Sequence, residues 1–380
     1  MTAIQLMKRG NAVGILRLLR EGPRSRADLA RQMGLTRAAV TGIVDALIAA
    51  GLVREGESAK TAKGRRPTLL ELAPDAFYAV GLDISREGTT LCFLDMTMKP
   101  VWERTWSADL DREQVLCELV DCVREASQSR RFLGIGVVAP GPLDTEKGQI
   151  TDPKGLEKWH GFCVAELERR LGLFALLKKD TAALAVAEKP HLGSKASFLV
   201  LLADHGLGGG YVYQGALFEP CAGLGCELGH ISINTQGELC SCGNRGCASL
   251  TASIPAALTH AKARMGVGGW RQLVALAMAG DRTAEDVLTQ QGEALAAVCI
   301  NAVNVLEPEC IVLEGELALA HAFFKERIER ALAARCFTQN GRAVRVLGSK
   351  LPQNARAFSA ANLILDRFFE ENGNDRIRKL

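Results

Sequence analysis

The chain has 380 residues, of which 48% are hydrophobic and 23% charged, and its formal net charge is +3. This composition excludes a disordered chain, and the length exceeds what one ordinary core supports, so two or three domains are expected. Charges recur throughout the first residues, and no stretch reaches about eighteen uninterrupted apolar residues. The sequence therefore predicts neither a signal peptide nor a membrane span, and a cytoplasmic protein is expected.

The charge is distributed unevenly along the chain. Residues 1–70 contain thirteen Lys or Arg and five acidic residues, a local net charge of +8, which leaves −5 for the remainder. A small basic segment joined to a mildly acidic body is typical of a protein that reads a polyanion. We therefore expect the N-terminal segment to bind DNA.

Residues 1–72 are predicted to form a winged helix-turn-helix domain. Helical spacing in "AVGILRLLREG" stops at Gly22-Pro23. Ser25 and Thr36 are the predicted N-caps of two short helices joined by "MGLT", and the second of these helices would enter a major groove. The alternating segments "LVRE" and "TLLEL" predict two strands, with a basic loop between them as the wing.

The predicted DNA contacts lie at the starts of the two short helices, along the second of them and in the wing. Arg37 can form a bidentate contact with guanine or bind a phosphate, and the arginines that end the wing can reach a minor groove. The alternative is a protein-docking module with solvated arginines, which the local charge disfavours. The predicted set is Ser25, Thr36, Arg37, Thr41, Arg65 and Arg66.

Residues 73–380 are predicted to form an α/β body. The segments "YAVGLDIS", "TLCFLDM" and "KPVWERTW" predict three strands, followed by a helix and the buried strand "FLGIGVVAPGPLD". A second series begins with "FALLKKDTAALAVAEK" and "SFLVLLADHGLGGGYVYQGALFE" and continues through a long helix to "ECIVLEGELA". This repetition indicates two related lobes with a ligand site at the strand ends. The Gly-rich stretch from Asp204 to Gly215 would let backbone approach a ligand, although tight hairpins use the same glycines.

One segment, "GHISINTQGELCSCGNRGC", predicts a structural zinc site. It supplies one imidazole and three thiols, a donor set that suits tetrahedral zinc, and four protein ligands leave no open position for catalysis. The alternatives are a disulfide or a redox pair, and a stable disulfide is disfavoured in a reducing cytosol. The predicted ligands are His230, Cys240, Cys242 and Cys247.

Several motifs together resemble the ROK family, which contains bacterial sugar kinases and repressors that add a winged helix to the kinase fold. They are "VGLDIS", "GVVAPGPLD", "KKDTAALAVAE", "DHGLGGG", "CELGH" and "CSCGNRGC", in this order and at the family's spacing. The resemblance covers essentially the whole chain. It implies an actin-like, two-lobed body in which a sugar binds in the cleft between the lobes.

The resemblance also implies the residues of the effector site. Glu227 would bind sugar hydroxyls, His230 would contact sugar as well as metal, and Asp180 stands where the kinases carry their catalytic base. Lys179 replaces the family's usual Asn, and Ser249 replaces a Glu that contacts sugar in the kinases. These two changes make the site more positive and suggest an anionic effector, a sugar phosphate or a sugar acid. The alternative is that Lys179 pairs with Asp180 or points to solvent.

Four departures from the kinases argue against catalysis, so no catalytic residue is assigned. Ser85, Arg86 and Glu87 replace a phosphate-binding Gly-Gly-Thr turn, and Asp204-His205 replaces Gly-Thr before the Gly-rich stretch. Acidic residues flank Gly315 where a nucleotide would contact backbone, and a winged helix is predicted. Acids at phosphate contacts would weaken nucleotide binding by several kcal/mol at an effective dielectric of roughly 20.

The sequence therefore predicts a sugar-responsive transcriptional regulator, most simply a repressor that dissociates from operator DNA when a sugar or sugar phosphate binds. A homodimer or higher homo-oligomer would read a palindromic operator, and residues 59–74 would transmit the effector signal. The alternatives are an active ATP-dependent sugar kinase and an architectural DNA binder that responds to no ligand.

Overall fold

The computed structural model describes residues 3–58, 68–193, 195–219 and 225–370, and the side chains of residues 3–9, 57 and 58 fall outside this description. The chain forms two compact units. Unit 1 comprises residues 1–139, 147–178 and 357–380, and unit 2 comprises residues 140–146 and 179–356. The mixed α/β class is as predicted, and the boundary between residues 72 and 73 falls inside unit 1 and stays a prediction.

The first part of unit 1 is the predicted winged helix. Ser25 caps α2 by accepting a hydrogen bond from the backbone N–H of Asp28 at 3.1 Å, and Thr36 caps α3 through the N–H of Ala39 at 3.2 Å. Gly34 ends α2 in the left-handed conformation with φ of 64°. The sheet order is β1-β3-β2, in which β1 is a short strand that the sequence did not predict. The elements are α1 (Ala3–Arg20), β1 (Arg24–Ser25), α2 (Arg26–Met33), α3 (Arg37–Ala49), β2 (Val53–Ser58) and β3 (Thr68–Leu72).

The remainder of unit 1 is built on a five-stranded sheet with the order β10-β7-β4-β5-β6. Strand β4 pairs antiparallel with β5 and parallel with β7, and both β4 and β7 are almost wholly buried, as their continuous apolar sequences predict. The elements are β4 (Tyr78–Ile84), β5 (Gly88–Asp95), β6 (Pro100–Ser107), α4 (Arg112–Ala126), β7 (Phe132–Ala139), β9 (Gln149–Ile150), a 3-10 helix (Glu157–Trp159), α5 (Ala165–Leu171) and β10 (Ala175–Lys179).

The last described helix, α13 (Ala355–Phe369), packs its unit 1 residues directly on this sheet. Two strand glycines make the close approach possible. A Cβ atom at Gly136 would lie 1.8 Å from the backbone oxygen of Ala360, and one at Gly81 would lie 2.1 Å from that of Ala357. The backbone of α13 therefore contacts β4 and β7 without intervening side chains.

Unit 2 contains a second five-stranded sheet with the order β13-β12-β11-β14-β15. Strand β11 pairs antiparallel with β12 and parallel with β14. The longest helix, α10, buries its apolar face in the core of this unit. Its elements in the described residues are β8 (Leu143–Asp144), α6 (Asp180–Leu192), β11 (Phe198–Ala203), β12 (Leu207–Tyr213), β13 (Ala216–Leu217), α7 (Ser249–Ala252), α8 (Ile254–Met265), α9 (Trp270–Met278), α10 (Arg282–Leu306), β14 (Cys310–Glu314), α11 (His321–Arg335), α12 (Gln339–Arg342), β15 (Arg345–Gly348) and the 3-10 helices Leu228–His230 and Gly315–Ala320.

The Gly-rich stretch lies mostly within strand β12, where its glycines serve packing. A Cβ atom at Gly210 would lie 2.1 Å from the backbone oxygen of Thr181, and one at Gly209 would lie 2.7 Å from Leu228. Both the start of α6 and the 3-10 helix Leu228–His230 therefore rest directly on β12. The glycines position the two segments that carry the predicted effector residues.

None of the helices in the described part of the chain has the length and apolar character needed to span a bilayer.

Gly136→Ala tests the contact between α13 and the sheet. The added methyl group has no room beside the oxygen of Ala360, so we expect the free energy of unfolding to fall by about 3 kcal/mol in urea denaturation. Gly268→Ala is the control, because its Cβ would meet no atom within 4 Å. Equal stability of the two variants would contradict the described packing.

Candidate functional site

The predicted metal ligands converge in unit 2. One donor atom from each of His230, Cys240, Cys242 and Cys247 lies within 4.8 Å of all the others. Cys240 Sγ is 3.8 Å from His230 Nδ1, and Cys242 Sγ is 3.5 Å from Cys247 Sγ. These separations suit four ligands around one tetrahedral ion.

Glycines and backbone hydrogen bonds shape the loop that carries the cluster. Gly243 and Gly246 have φ of 93° and 60°, which disfavour a side chain. A Cβ at Gly246 would also lie 1.8 Å from the oxygen of Asn234. The N–H of Cys240 donates to the oxygen of Asn244 at 2.7 Å. These contacts bring the thiols of the cluster together.

Two thiols of the cluster have pKa values shifted in opposite directions, and burial together with hydrogen bonds to Cys242 and Cys240 raises the pKa of Cys247 to about 12. Burial opposes ionisation of Cys240, but hydrogen bonds from the backbone and side chain of Cys242 lower the pKa of Cys240 to about 6. A thiolate is the form that ligates metals. The donor set therefore fits a metal ion, as the sequence predicted.

The segment beside the cluster presents Glu227 to a second group of polar residues in unit 2. Glu227 immediately precedes the 3-10 helix that ends at His230. Gly229 is required within that helix, because a Cβ there would lie 2.1 Å from the oxygen of Leu207. His230 therefore links the metal cluster to Glu227 through three consecutive peptide bonds in a tightly packed turn.

Lys179 forms an ion pair with Glu227. Its Nζ lies 2.6 Å from Glu227 Oε1 and 3.4 Å from the oxygen of Gly225, and the Lys179 side chain is 8% exposed, against 38% for Glu227. Lys179 therefore forms its ion pair with Glu227 rather than with Asp180, and its side chain does not point to solvent. Glu227 thus compensates the ammonium charge of Lys179, and the anionic effector stays a prediction.

Asp180 begins α6 and is buried. Its Oδ1 accepts a hydrogen bond from the N–H of Thr181 at 2.7 Å. Burial raises the pKa of Asp180, while the positive charges of Lys179 and Arg356 act against that rise. A buried carboxylate with a raised pKa suits either a proton acceptor or a hydrogen-bonding partner for a sugar hydroxyl.

Ser249 has a structural hydrogen bond in addition to its predicted effector contact. Its hydroxyl accepts from the N–H of Leu207 at 3.2 Å and lies against Gly229. Ser249 therefore fixes the beginning of β12 relative to the 3-10 helix.

Three acidic residues that were predicted to weaken nucleotide binding are paired with arginines or buried within the protein. Arg356, which the sequence analysis did not single out, forms an ion pair with Asp204. Glu316 accepts a hydrogen bond from Arg271 at 2.7 Å. Glu314 is fully buried, so it offers no surface to a ligand. The predicted repulsion of phosphate by Asp204 and Glu314 is thus weaker than their formal charges imply.

The candidate DNA-binding surface belongs to unit 1. Arg37 and Thr41 are exposed near the start of α3, and Thr36 is exposed while its hydroxyl caps that helix. Ser25 is 5% exposed and its hydroxyl is engaged with Asp28, so a capping role accounts for it. Arg65 and Arg66 lie outside the described residues.

Within residues 10–56, most basic side chains have internal partners. Among residues 10–56, Arg37 is the one basic residue whose guanidinium has no hydrogen bond or ion pair in the described part of the chain. Within these residues, the formal charge therefore overstates how many cations are available to DNA. The internal pairs are Arg17 with the Phe369 oxygen, Arg20 with Asp366, Arg24 with Glu21, Arg26 with Asp45 and Glu55, Arg31 with Asp28, and Arg54 with Glu71.

Comparisons with known proteins match an N-terminal part and a larger C-terminal part of the chain to two different families. Residues 79–367 match the ROK family and residues 9–64 match the MarR family. The xylose repressor of Bacillus subtilis (strain 168) is 24% identical over 362 residues, which cover 93% of this chain and 94% of that protein. The DNA-binding transcriptional dual regulator NagC of Escherichia coli (strain K12) is 27% identical over 369 residues, covering 92% and 89% of the two chains.

Two solved structures show the same fold. A ROK family transcriptional regulator, described as a homolog of the E. coli MLC protein, has a TM-score of 0.78 and 26% identity, covering 96% of this chain and 97% of its own. A ROK hexokinase from Thermus thermophilus has a TM-score of 0.63 and 27% identity, covering 75% of this chain and 97% of its own. The structure of the transcriptional regulator thus covers a part of this chain that the hexokinase does not cover.

Removal of a bound metal tests the cluster. The protein is expected to carry one metal ion per chain in elemental analysis, and a chelator or Cys247→Ser is expected to lower Tm by on the order of 10 °C. Cys117→Ser, an exposed thiol on α4, is the control and should leave Tm unchanged. A metal-free protein with an unaltered Tm would refute the metal site.

Glu314 provides a test of buried charge. Burial and the negative charge of Glu188 raise the pKa of Glu314 to about 8 from an ordinary value of 4.5. The folded state therefore holds a proton that the unfolded chain releases, so its stability falls as the pH rises between these two values. Glu314→Gln should be more stable than the native protein by about 2 kcal/mol at about pH 9, and less so at about pH 5. Urea denaturation across this range measures the effect.

The control for this measurement is Glu326→Gln, since Glu326 is an exposed residue paired with Arg330. It should leave the pH dependence unchanged. Parallel pH profiles for Glu314→Gln and the native protein would show that Glu314 is ionised throughout.

Proposed function

Because the chain belongs to the ROK family and carries a winged helix at its N-terminus, we propose that it is a sugar-responsive, DNA-binding transcriptional regulator, and specifically a repressor. The observation that carries this proposal is that relatives named as a xylose repressor and a dual regulator match more than nine-tenths of this chain. The match therefore includes both the winged helix and the ROK body. A sugar or sugar phosphate would release the repressor from operator DNA.

Helix α3 is the proposed reader of the major groove. Arg37 at its N-terminus supplies a cation, and Thr41 stands one turn further along the same exposed face. Thr36 orients this end of the helix by capping it, and Arg65 and Arg66 are proposed minor-groove contacts of the wing. Since a palindromic operator presents two half-sites, the DNA-binding form is proposed to be a homodimer or a higher homo-oligomer.

The proposed effector site comprises the polar residues assembled around Glu227 in unit 2. The second carboxylate oxygen of Glu227 and the carboxylate of Asp180 are acceptors for sugar hydroxyls, and Lys179 is a donor beside them. His230 and Ser249 complete the predicted set. Zinc is the proposed metal, since three thiolates and one imidazole form a closed tetrahedral set, and its function is to hold the turn that presents Glu227.

We propose that the protein has no kinase activity, although its body shares the fold of sugar kinases. In the loop that replaces the kinase phosphate-binding turn, the Ser85 hydroxyl donates to the oxygen of Gly88 at 3.0 Å, and Arg86 donates to the oxygen of Lys154 at 2.7 Å. These two side chains therefore donate their hydrogen bonds to the protein's own backbone and not to a phosphate. The rival function, an ATP-dependent sugar kinase, requires turnover of a hexose that Asp180→Asn abolishes.

Arg37→Ala tests the proposed DNA contact. The probe is a duplex that the native protein selects from a randomised pool. Loss of one guanidinium contact should weaken binding about tenfold and reduce the slope of log affinity against log salt by about one.

Arg31→Ala is the matched control for this measurement, because Arg31 is exposed but paired with Asp28 at 2.6 Å. It should change affinity much less than Arg37→Ala. Equal losses in both variants would mean that charge alone, and not the position of Arg37, determines binding. A native protein that selects no duplex would exclude the proposed function.

A further inference from the structure

Arg20, the last residue of α1, is a mostly buried cation that joins the winged helix to α13. Its Nη1 donates to Asp366 Oδ1 at 3.0 Å and its Nη2 donates to Asn362 Oδ1 at 2.7 Å. Its guanidinium also lies 4.9 Å from the centre of the Phe369 ring. The Arg20 side chain is 12% exposed, which is unusual for an arginine at the end of a domain's first helix.

A second arginine of α1 contacts the same helix end. Arg17 Nε donates to the backbone oxygen of Phe369 at 2.5 Å, at the C-terminus of α13. The last carbonyls of a helix have no intrahelical partner and carry partial negative charge, so a guanidinium there is favourable. Two consecutive turns of α1 thus hold the last two turns of α13.

The helix that they hold is itself fixed on the sheet of unit 1. Gly81 and Gly136 let the α13 backbone touch β4 and β7, and Cys92 Sγ of β5 donates to the oxygen of Ala357 at 3.1 Å. Asn362, which accepts from Arg20, is completely buried between these layers. The contacts therefore run without a break from α1 through α13 to the central strands.

We infer that Arg20 is a positioning residue that fixes the winged helix to the lobe of unit 1 as one rigid body. Two oxygen acceptors and an aromatic face meet one planar guanidinium, and this geometry specifies an orientation that apolar packing alone would leave adjustable. Residues 59–74 were predicted to transmit the effector signal as a linker. The contacts of Arg20 with Asp366, Asn362 and Phe369 form a clamp between the two parts. This clamp makes the lobe the transmitter of the signal, because the winged helix moves only as the lobe moves.

Hydrogen exchange of the full-length protein tests the clamp without reference to any ligand. Arg20→Gln and Asp366→Asn should each accelerate exchange about tenfold in the last turns of α1 and α13, and the double variant should add little, because both changes remove one interaction. Arg31→Gln is the matched control, since it removes a guanidinium from the same domain without touching α13. Should Arg20→Gln fail to fold, Arg20→Lys retains the charge and tests the same geometry.

DNA binding tests the functional consequence, which rests on the proposed function. The probes are the duplex selected by the native protein and versions in which the half-site separation is changed by about two base pairs. A rigid winged helix makes the native protein discriminate between these spacings. Arg20→Gln should bind the selected spacing about tenfold more weakly while discriminating less.

The two measurements separate the possible failures. Native-like exchange in Arg20→Gln and Asp366→Asn overturns the clamp, as does an equal loss of affinity at every spacing. A native protein that binds no duplex overturns the proposed function, while the exchange measurement still decides the clamp.

Discussion

Convergence of four metal-binding donor atoms constrains the whole candidate effector site. The donors of His230 and the three cysteines lie within 4.8 Å of one another, and an ion between them would hold the turn that precedes the cluster. That turn packs on β12 and presents Glu227 to Lys179 at 2.6 Å. Lys179 in turn precedes Asp180, whose helix rests on the glycines of the same strand. The His/Cys cluster, the turn and the carboxylates are therefore one connected assembly within unit 2.

The shared fold of kinases and repressors makes this local chemistry decisive. A two-lobed body matches both classes, so the fold alone does not assign a function. Two features favour a regulator over a kinase. One is the additional winged helix, and the other is the loop after β4, whose polar side chains form hydrogen bonds within the protein. The hydrogen bonds of Ser85 and Arg86 close that loop on neighbouring backbone. A sugar held without transformation would then act by shifting the population of lobe arrangements, and linkage requires that DNA weaken sugar binding by the same factor.

Local patterns in the sequence predicted much of this structure. Caps at Ser25 and Thr36, the strands of the two five-stranded sheets except β15, and the His/Cys cluster are all encoded within short segments, where spacing and residue type carry the information. The ion pairs were not predictable in this way. Lys179 meets Glu227 across 48 positions, Arg356 meets Asp204 across 152, and Arg20 meets Asp366 across 346. Such pairings depend on the assembled fold. They compensate charges that the sequence alone presents as available to an effector or to DNA.

The central claim is that one chain senses a sugar and reports it to DNA without consuming the sugar. Fluorescence anisotropy of a labelled duplex, selected by the protein itself, measures this directly while a panel of neutral sugars and their phosphates is added with and without ATP. The account predicts that at least one sugar lowers DNA affinity by about tenfold or more and is recovered chemically unchanged. DNA affinity that no sugar alters, together with ATP-dependent phosphorylation of a hexose, would contradict it.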